Sequence, residues 1–340
     1  MKLRLVAAAL FGLLAGGVGV ALLRRIGARL PRDDPNARSL HVRPIPRAGG
    51  YAIWAGFLPV ALLWPPSFAL PGLAGWLPAW LAVALVSAAD DARGVRAGPR
   101  LVVHCAAALA CAYALWRGAS ADTGVAPHGA LAWAGLIGMT LAIAWMANLY
   151  NFMDGSDGLA ATMAVAGFGA YAIAAHRAGA DAAAFVALAT AALAFLAVNR
   201  PRATMFLGDV GSVPIGFLAA AFGLSGALTQ MWPAWFPVLV FLPFVADATV
   251  TLARRAARGE NLAQAHRDHY YQRLNRMGAG HGGTLAAYAL AMIATAGSAL
   301  YCLMRAPGWG VAALGFACVV CFILFGAIDH RWRRRTEASR

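Results

Sequence analysis

The chain has 340 residues, 61% of them hydrophobic and only 12% charged, with a formal net charge of +14. Soluble domains carry about 25% charged residues, so the composition excludes a soluble enzyme with an anchor attached. It specifies a polytopic α-helical membrane protein, in which surplus positive charge reports topology rather than a nucleic-acid partner.

Apolar runs long enough to approach or cross a bilayer recur at residues 3–23, 49–65, 75–89, 100–116, 130–147, 159–175, 182–198, 211–228, 235–252, 284–304 and 308–328. The first is long for a signal-peptide core, lacks a convincing cleavage site and is followed by many more spans. Residues 1–330 are expected to form one transmembrane domain, and 331–340 a basic cytoplasmic tail. Cys105, Cys111, Cys302, Cys318 and Cys321 all fall in apolar segments. Their spacing matches neither a disulfide framework nor a zinc site.

Alternation of eleven spans puts the segments after odd-numbered spans on one side. Those segments hold 23 arginines, against five Lys and Arg on the other side, namely Lys2, Arg4, Arg117, Arg177 and Arg305. The positive-inside rule makes the arginine-rich side cytoplasmic, although Lys2 and Arg4 run against an outer N-terminus.

The polar clusters follow in chain order. In Ser39–Gly50 the prolines stiffen an extended loop and the glycines release it into a helix. There Arg43 and Arg47 either grip a lipid phosphate or only decorate the cytoplasmic side. Asp90-Asp91 closes the third span. Adjacent side chains diverge, so the two need not share one role, and Asp at a helix C-terminus opposes the helix dipole. Asn148-Leu149-Tyr150-Asn151-Phe152-Met153-Asp154-Gly155-Ser156-Asp157-Gly158 sets two amides, two carboxylates and two glycines between apolar spans. Such carboxylates are costly at a membrane edge unless they meet a cation or water; the bland alternative is a polar loop with Asp157 capping the next helix.

Leu207-Gly208-Asp209-Val210-Gly211-Ser212 opens the eighth span. It presents a hard oxygen ligand beside accessible N–H groups, suited to Mg²⁺ on phosphate, or simply an N-cap by Asp209 or Ser212. Asp247, within the ninth span and ahead of Arg254 and Arg255, is expected to pair with an arginine. His266-Arg267-Asp268-His269-Tyr270-Tyr271-Gln272-Arg273 suits a diphosphate or uracil pocket, or an amphipathic surface helix. His104, His128, His176, His281 and His330 show no comparable grouping and are expected to be structural.

Five of these clusters follow odd-numbered spans and therefore reach one plane. Together they form an inventory for phosphoryl transfer, and their place at a membrane face makes a lipid substrate reasonable. A secondary transporter is the rival from another class. It should concentrate polar groups near the midplane. A scaffold recruiting anionic lipids would not need so many carboxylates.

The motifs resemble those of the polyprenyl-phosphate N-acetylhexosamine-1-phosphate transferases, glycosyltransferase family 4, which includes the MraY and WecA enzymes. Asp90-Asp91 is similar to the family's paired aspartates. Asn148–Gly158 is similar to its asparagine and Asp-Gly-x-Asp-Gly element, and Phe206–Ser212 to its Gly-Asp-x-Gly-Ser element. The resemblance implies an all-α polytopic protein of about eleven helices in a bacterial inner membrane, with its site facing the cytoplasm. It implies transfer of an N-acetylhexosamine 1-phosphate from a UDP-sugar to undecaprenyl phosphate, with release of UMP. Mg²⁺ is the implied cofactor and Mn²⁺ an alternative; membrane lipids surround the protein, and a homodimer through apolar faces is compatible with it.

By motif match, Asp209 and Asn151 are the expected metal ligands and Asp90 and Asp91 the catalytic pair. Asp90 would orient or deprotonate the lipid phosphate. Asn148, Asp154, Asp157, Arg47, His266, Arg267 and His269 would bind substrate. His266-Arg267-Asp268-His269 departs from the triple histidine of the muramyl-peptide branch. With Pro46–Gly50 and Tyr271–Leu274, it favours the WecA and WbpL side, hence initiation of O-antigen or another surface polysaccharide. Muramyl-pentapeptide phosphotransfer in peptidoglycan synthesis is the alternative. Ser156 stands where the family usually has an aliphatic residue.

Overall fold

A computed structural model describes residues 1–33, 44–66, 72–123, 129–262, 264 and 266–338. Arg43, His41 and His128 lie outside the described residues. All eleven expected spans are helical. They form α1 (Lys2–Arg25), α2 (Gly49–Leu63), α3 (Leu73–Arg93), α4 (Ala97–Thr123), α5 (Ala130–Phe152), α6 (Leu159–Arg177), α7 (Ala183–Asn199), α8 (Asp209–Leu228), α9 with α10 (Trp235–Val240 and Leu242–Ala257), then α12 (Gly280–Arg305) and α13 (Gly310–Ala338). A short α11 (Tyr270–Leu274) precedes α12. This is an all-α polytopic membrane protein.

Eight helical segments among the described residues are long and apolar enough to cross a bilayer, while α2 and α7 have 15 and 17 residues. The ninth expected span is broken at Phe241. Pro243 starts the second half, where its missing N–H costs no helical bond.

Helix α8 is the centre of the bundle, with 83% of its apolar window buried; α13 lies at the rim, with 6% buried. Small residues let α8 approach its neighbours. A Cβ on Gly50 would sit 2.5 Å from the Gly211 Cα, so the starts of α2 and α8 touch through two glycines. Gly49 and Gly50 donate their N–H groups to Phe206 and Leu207, each at 2.9 Å, and the Trp54 indole donates to the Val210 carbonyl at 2.8 Å. The loop before α2 also forms a two-residue ladder, β1 (Arg32–Asp33) with β2 (Ile45–Pro46). These contacts fix Arg47 beside the start of α8.

At the opposite end of the bundle, Arg4 pairs with Asp181 of the α6–α7 turn at 3.5 Å. The N-terminal charge that ran against the topology thus has a carboxylate partner on its own side.

Candidate active site

Four helix ends bring the expected carboxylates together. Asp90 and Asp91 close α3, Arg100 begins α4, Asn151 ends α5 and Asp209 opens α8. Arg47 enters from the loop before α2. Its Nη2 lies 3.2 Å from both Asp91 Oδ1 and Asp209 Oδ1. Arg100 Nη1 bridges Asp90 and Asp209, lying 2.9 Å from Asp209 Oδ2. The Val95 N–H also donates to Asp90 Oδ1, at 2.6 Å, which offsets the unfavourable end of the α3 dipole.

Asp154, in the turn after α5, senses the charges of Asp209, Arg47, Asp91 and Asp157. Burial first, and then the neighbouring Asp209, pushes its carboxyl well above the usual carboxylate range. Burial opposes the charge of Arg47, yet Asp91, Asp209 and Asp33 outweigh it and raise that guanidinium further. Asp90, Asp91 and Asp209 thus surround Arg47 and Arg100, with Asp154 close by.

The histidine loop docks on this group from the α5 side. Tyr271 Oη donates to the Phe152 carbonyl at 3.0 Å, and the Phe152 and His269 rings lie 6.1 Å apart. His266 stacks on His269 at 4.9 Å, and Asp268 is held by Arg255 at 2.8 Å. Beneath the loop lies Asp247, fully buried. Its Oδ1 accepts the Tyr270 N–H at 2.9 Å and faces His269 Nδ1 at 3.2 Å; its Oδ2 accepts the Tyr271 N–H at 3.0 Å and the Tyr288 hydroxyl.

The sequence signature described as glycosyl transferase family 4 matches residues 73–227, which carry Asp90, Asp91, Asn148–Gly158 and Asp209. A phospho-N-acetylmuramoyl-pentapeptide-transferase of Synechococcus sp. (strain JA-3-3Ab) is 32% identical, over 65% of this chain and 68% of its own. This chain belongs to glycosyl transferase family 4. Two further relatives align over more of their length. A decaprenyl-phosphate N-acetylglucosaminephosphotransferase of Mycolicibacterium smegmatis is 27% identical over 91% of this chain and 83% of its own. An undecaprenyl-phosphate alpha-N-acetylglucosaminyl 1-phosphate transferase of Yersinia pestis is 27% identical over 88% and 85%.

Within this family member, several of the expected site residues also make structural contacts of their own. Asp91, expected beside Asp90 as catalytic, accepts the backbone N–H groups of Asp209 and Val210 at 3.1 and 2.8 Å. It therefore caps α8 from another helix and positions Asp209. Asp209 and Ser212 are not caps; the Ser212 hydroxyl turns to Gly208 and Asn151. Asp157, expected to bind substrate, accepts the N–H groups of Arg202 and Ala203, both at 3.0 Å, and lies 3.4 Å from His281. It ties its own loop to the α7–α8 loop and the start of α12, and caps nothing at Gly158, whose φ of 76° starts α6 without a side-chain cap. Ser156 joins the same junction, 3.2 Å from His281. Asn148, also expected at substrate, donates its amide N–H to the Ala144 carbonyl at 2.7 Å, and its Oδ1 faces His104 Nδ1 as acceptor at 3.3 Å. Asp247 meets the histidine loop rather than the expected arginine.

Asn151 presents its Nδ2, not its oxygen, to Asp209 Oδ2 at 3.1 Å, while its Oδ1 accepts from Ser212. Pairing that oxygen with Asp209 on a metal requires the amide to turn over, a choice that hydrogen-bond networks alone decide. No group of three or more His, Cys, Asp or Glu among the described residues stands ready as a coordination shell. The donor chemistry nonetheless fits a hard divalent cation: Asp209 and Asp90 supply carboxylate oxygens, and a cation between them would take the place that Arg100 holds here.

Arg100 is the main residue that motif reading missed. It lies one turn before His104 on α4, and this i, i+4 polar pair in an apolar span was the available signal. His281, set aside as ungrouped, acts through Asp157, a contact across 124 residues of chain that spacing cannot reveal.

Proposed function

We propose that this protein transfers an N-acetylhexosamine 1-phosphate from a UDP-sugar to undecaprenyl phosphate, releasing UMP, at the cytoplasmic face of a bacterial inner membrane. The observation that carries the reading is the cluster of Asp209, Asp90, Arg100, Arg47 and Asp154 at one end of a bundle of membrane-spanning helices. Such a site has both the charge to handle crowded phosphates and immediate access to a lipid.

In this reaction an oxygen of the lipid phosphate attacks the β-phosphorus of the UDP-sugar. The new phosphoanhydride bond joins lipid phosphate to sugar phosphate, the bond between the α- and β-phosphates breaks, and UMP departs with the bridging oxygen. A lipid phosphate is already largely ionised at neutral pH, so orientation matters more than a general base. Arg100, poised between Asp90 and Asp209, has the reach to swing onto phosphate oxygens, and Asp90 sets its resting direction. Arg47 offers a second guanidinium. His266, Arg267 and His269 would contact the diphosphate or its leaving group. Asp209, helped by the Asn151 oxygen, would hold Mg²⁺ or Mn²⁺, which would supply charge neutralisation for the diphosphate.

Initiation of a surface polysaccharide such as O-antigen is the pathway reading. The His266-Arg267-Asp268-His269 sequence supports it over the muramyl-pentapeptide reaction. So does the longer match to the two N-acetylglucosamine-phosphate transferases. The test is transfer of radiolabel by purified protein with undecaprenyl phosphate, Mg²⁺ and a panel of UDP-sugars. Labelled lipid diphosphate with an N-acetylhexosamine donor is the expected product; no transfer from any donor removes the reading.

A further inference from the structure

A second charged cavity lies outside the cluster around Asp209. It encloses about 410 Å³ and is lined by Arg254, Arg258, Arg273, Asp329, Trp332 and Arg333. Asp329 pairs with Arg254 and with Arg273, the latter at 2.7 Å; Glu260 pairs with Arg258 at 2.5 Å. Four guanidiniums thus meet two carboxylates, and the cavity keeps net positive charge.

Loose arginines on this face would be ordinary topology signals. These are fixed. Arg254 and Arg273 each lie 5.5 Å from the centre of the Tyr270 ring. That ring stacks on Phe325 at 3.9 Å, and its hydroxyl donates to Asp329 at 3.3 Å.

The position along α13 matters as much. Nineteen helical steps separate Gly310 from Asp329, about 28 Å at the α-helical rise. This matches the roughly 30 Å hydrocarbon thickness, so Asp329 falls at headgroup level. Phe316, Val319, Phe322, Ile323 and Leu324 are exposed along the span that leads to it. A ligand with a phosphate in the cavity can lay acyl chains on that surface, whereas a soluble anion gains nothing from it.

We propose that this cavity binds the phosphate-bearing headgroup of an anionic bilayer phospholipid, and that the bound lipid steadies the histidine loop. The second half rests on the transferase reading; the first does not. The link is covalent and short: Tyr270 follows His269 directly, and Arg273 lies on the same helical turn.

The experiment uses the full-length protein and native mass spectrometry with phosphatidylglycerol, phosphatidylethanolamine or inorganic phosphate. Wild type should retain phosphatidylglycerol in preference to phosphatidylethanolamine. Each arginine near an anionic headgroup contributes about fivefold to binding, so R254Q/R333Q should bind about thirtyfold more weakly. R254K/R333K, which keeps the charge, should retain the lipid and so separate charge from misfolding. Equal retention of the two lipids, unchanged retention by R254Q/R333Q, or displacement of the lipid by inorganic phosphate would each overturn the binding claim. In nanodiscs of rising phosphatidylglycerol content, sugar-phosphate transfer should climb for wild type and stay flat for R254Q/R333Q. A flat wild-type rate with lipid bound sinks the loop-steadying half. Absence of transfer by either protein at every composition removes the transferase reading and leaves the binding result standing.

Discussion

Asp91 holds Asp209 by the backbone: its two carboxylate oxygens accept the N–H groups of Asp209 and Val210, at 3.1 and 2.8 Å. Two adjacent aspartates at the end of α3 thus have different jobs. Asp90 faces Arg100, while Asp91 secures the first turn of α8. Its charge also suits the positive end of the α8 dipole and the Arg47 guanidinium. Asp91→Asn keeps one acceptor, loses the charge and turns an amide donor toward the helix start. It should lower stability by about 1–2 kcal/mol. Transfer activity should fall while the Mg²⁺ concentration for half-maximal rate changes little. Asp209→Asn, by contrast, should abolish most activity at any Mg²⁺ concentration. Metal titrations of the two variants separate a ligand from its support; identical profiles would contradict that division.

Arg100 is the cation between Asp90 and Asp209, so its removal leaves two carboxylates facing each other. We expect Arg100→Ala to lower kcat by about 10²–10³, the usual effect of deleting one preorganised charge from a reacting phosphate or oxyanion. Unscreened carboxylates should also bind the activating cation more tightly, shifting the Mg²⁺ optimum downward. Arg100→Lys keeps the charge and can bridge both carboxylates from one nitrogen, as Nη1 does, but it presents a compact ammonium instead of a planar guanidinium to phosphate and should recover only part of the rate. Steady-state kinetics at several Mg²⁺ concentrations check both effects. A rate within twofold of wild type for Arg100→Ala would show that the bridge is structural only.

Asp247 supports the histidine loop from below. Asp247→Ala would strip the acceptor from the Tyr270 and Tyr271 N–H groups and from the Tyr288 hydroxyl. Each buried donor left unpaired costs about 1–3 kcal/mol. The loop over His266–Arg273 should therefore open locally before the bundle does. Hydrogen exchange of that segment is the direct measurement, with Tyr288→Phe as a milder variant that removes one donor together with its need. Unchanged protection of the loop in Asp247→Ala would refute this support.

The spans and the carboxylate motifs were legible because each depends on local sequence. Apolar runs near 20 residues, broken by Pro-, Gly- and Arg-rich loops, set the helices. Even the break at Phe241 had a local cause in Pro243. What single residues do was less legible, because it depends on which distant backbone meets them. Asp157 meets Arg202 and Ala203, 45 and 46 residues away. Asp91 meets Asp209 across 118 residues. Motif matching expects Asp91 in catalysis and Asp157 at substrate; the backbone contacts that each makes depend on residues far along the chain. Asp247 had a buried place in the apolar run and adjacent arginines; the sequence held no sign that the loop would fold back over it.

His266 gives the loop a pH dependence. Burial first, then the nearby His269 and Arg255, lowers its pKa to about 4, outweighing Asp268 and Glu260. Its ordinary value is about 6.5. The folded loop therefore resists protonation that the opened loop accepts. Between pH 6.5 and 4 the open form binds more protons, so stability of the closed loop is full above that window and declines as pH falls through it. Geometry agrees, since His266 Nδ1 accepts the Asp268 N–H at 3.3 Å, a bond that protonation at that nitrogen would remove. Protection of residues 266–274 should fall from pH 7 to pH 5, so that their exchange slows less than the base-catalysed intrinsic rate does. His266→Gln cannot take up the proton and should flatten this dependence while keeping a side-chain acceptor. The same acid sensitivity in His266→Gln would assign the effect to another group.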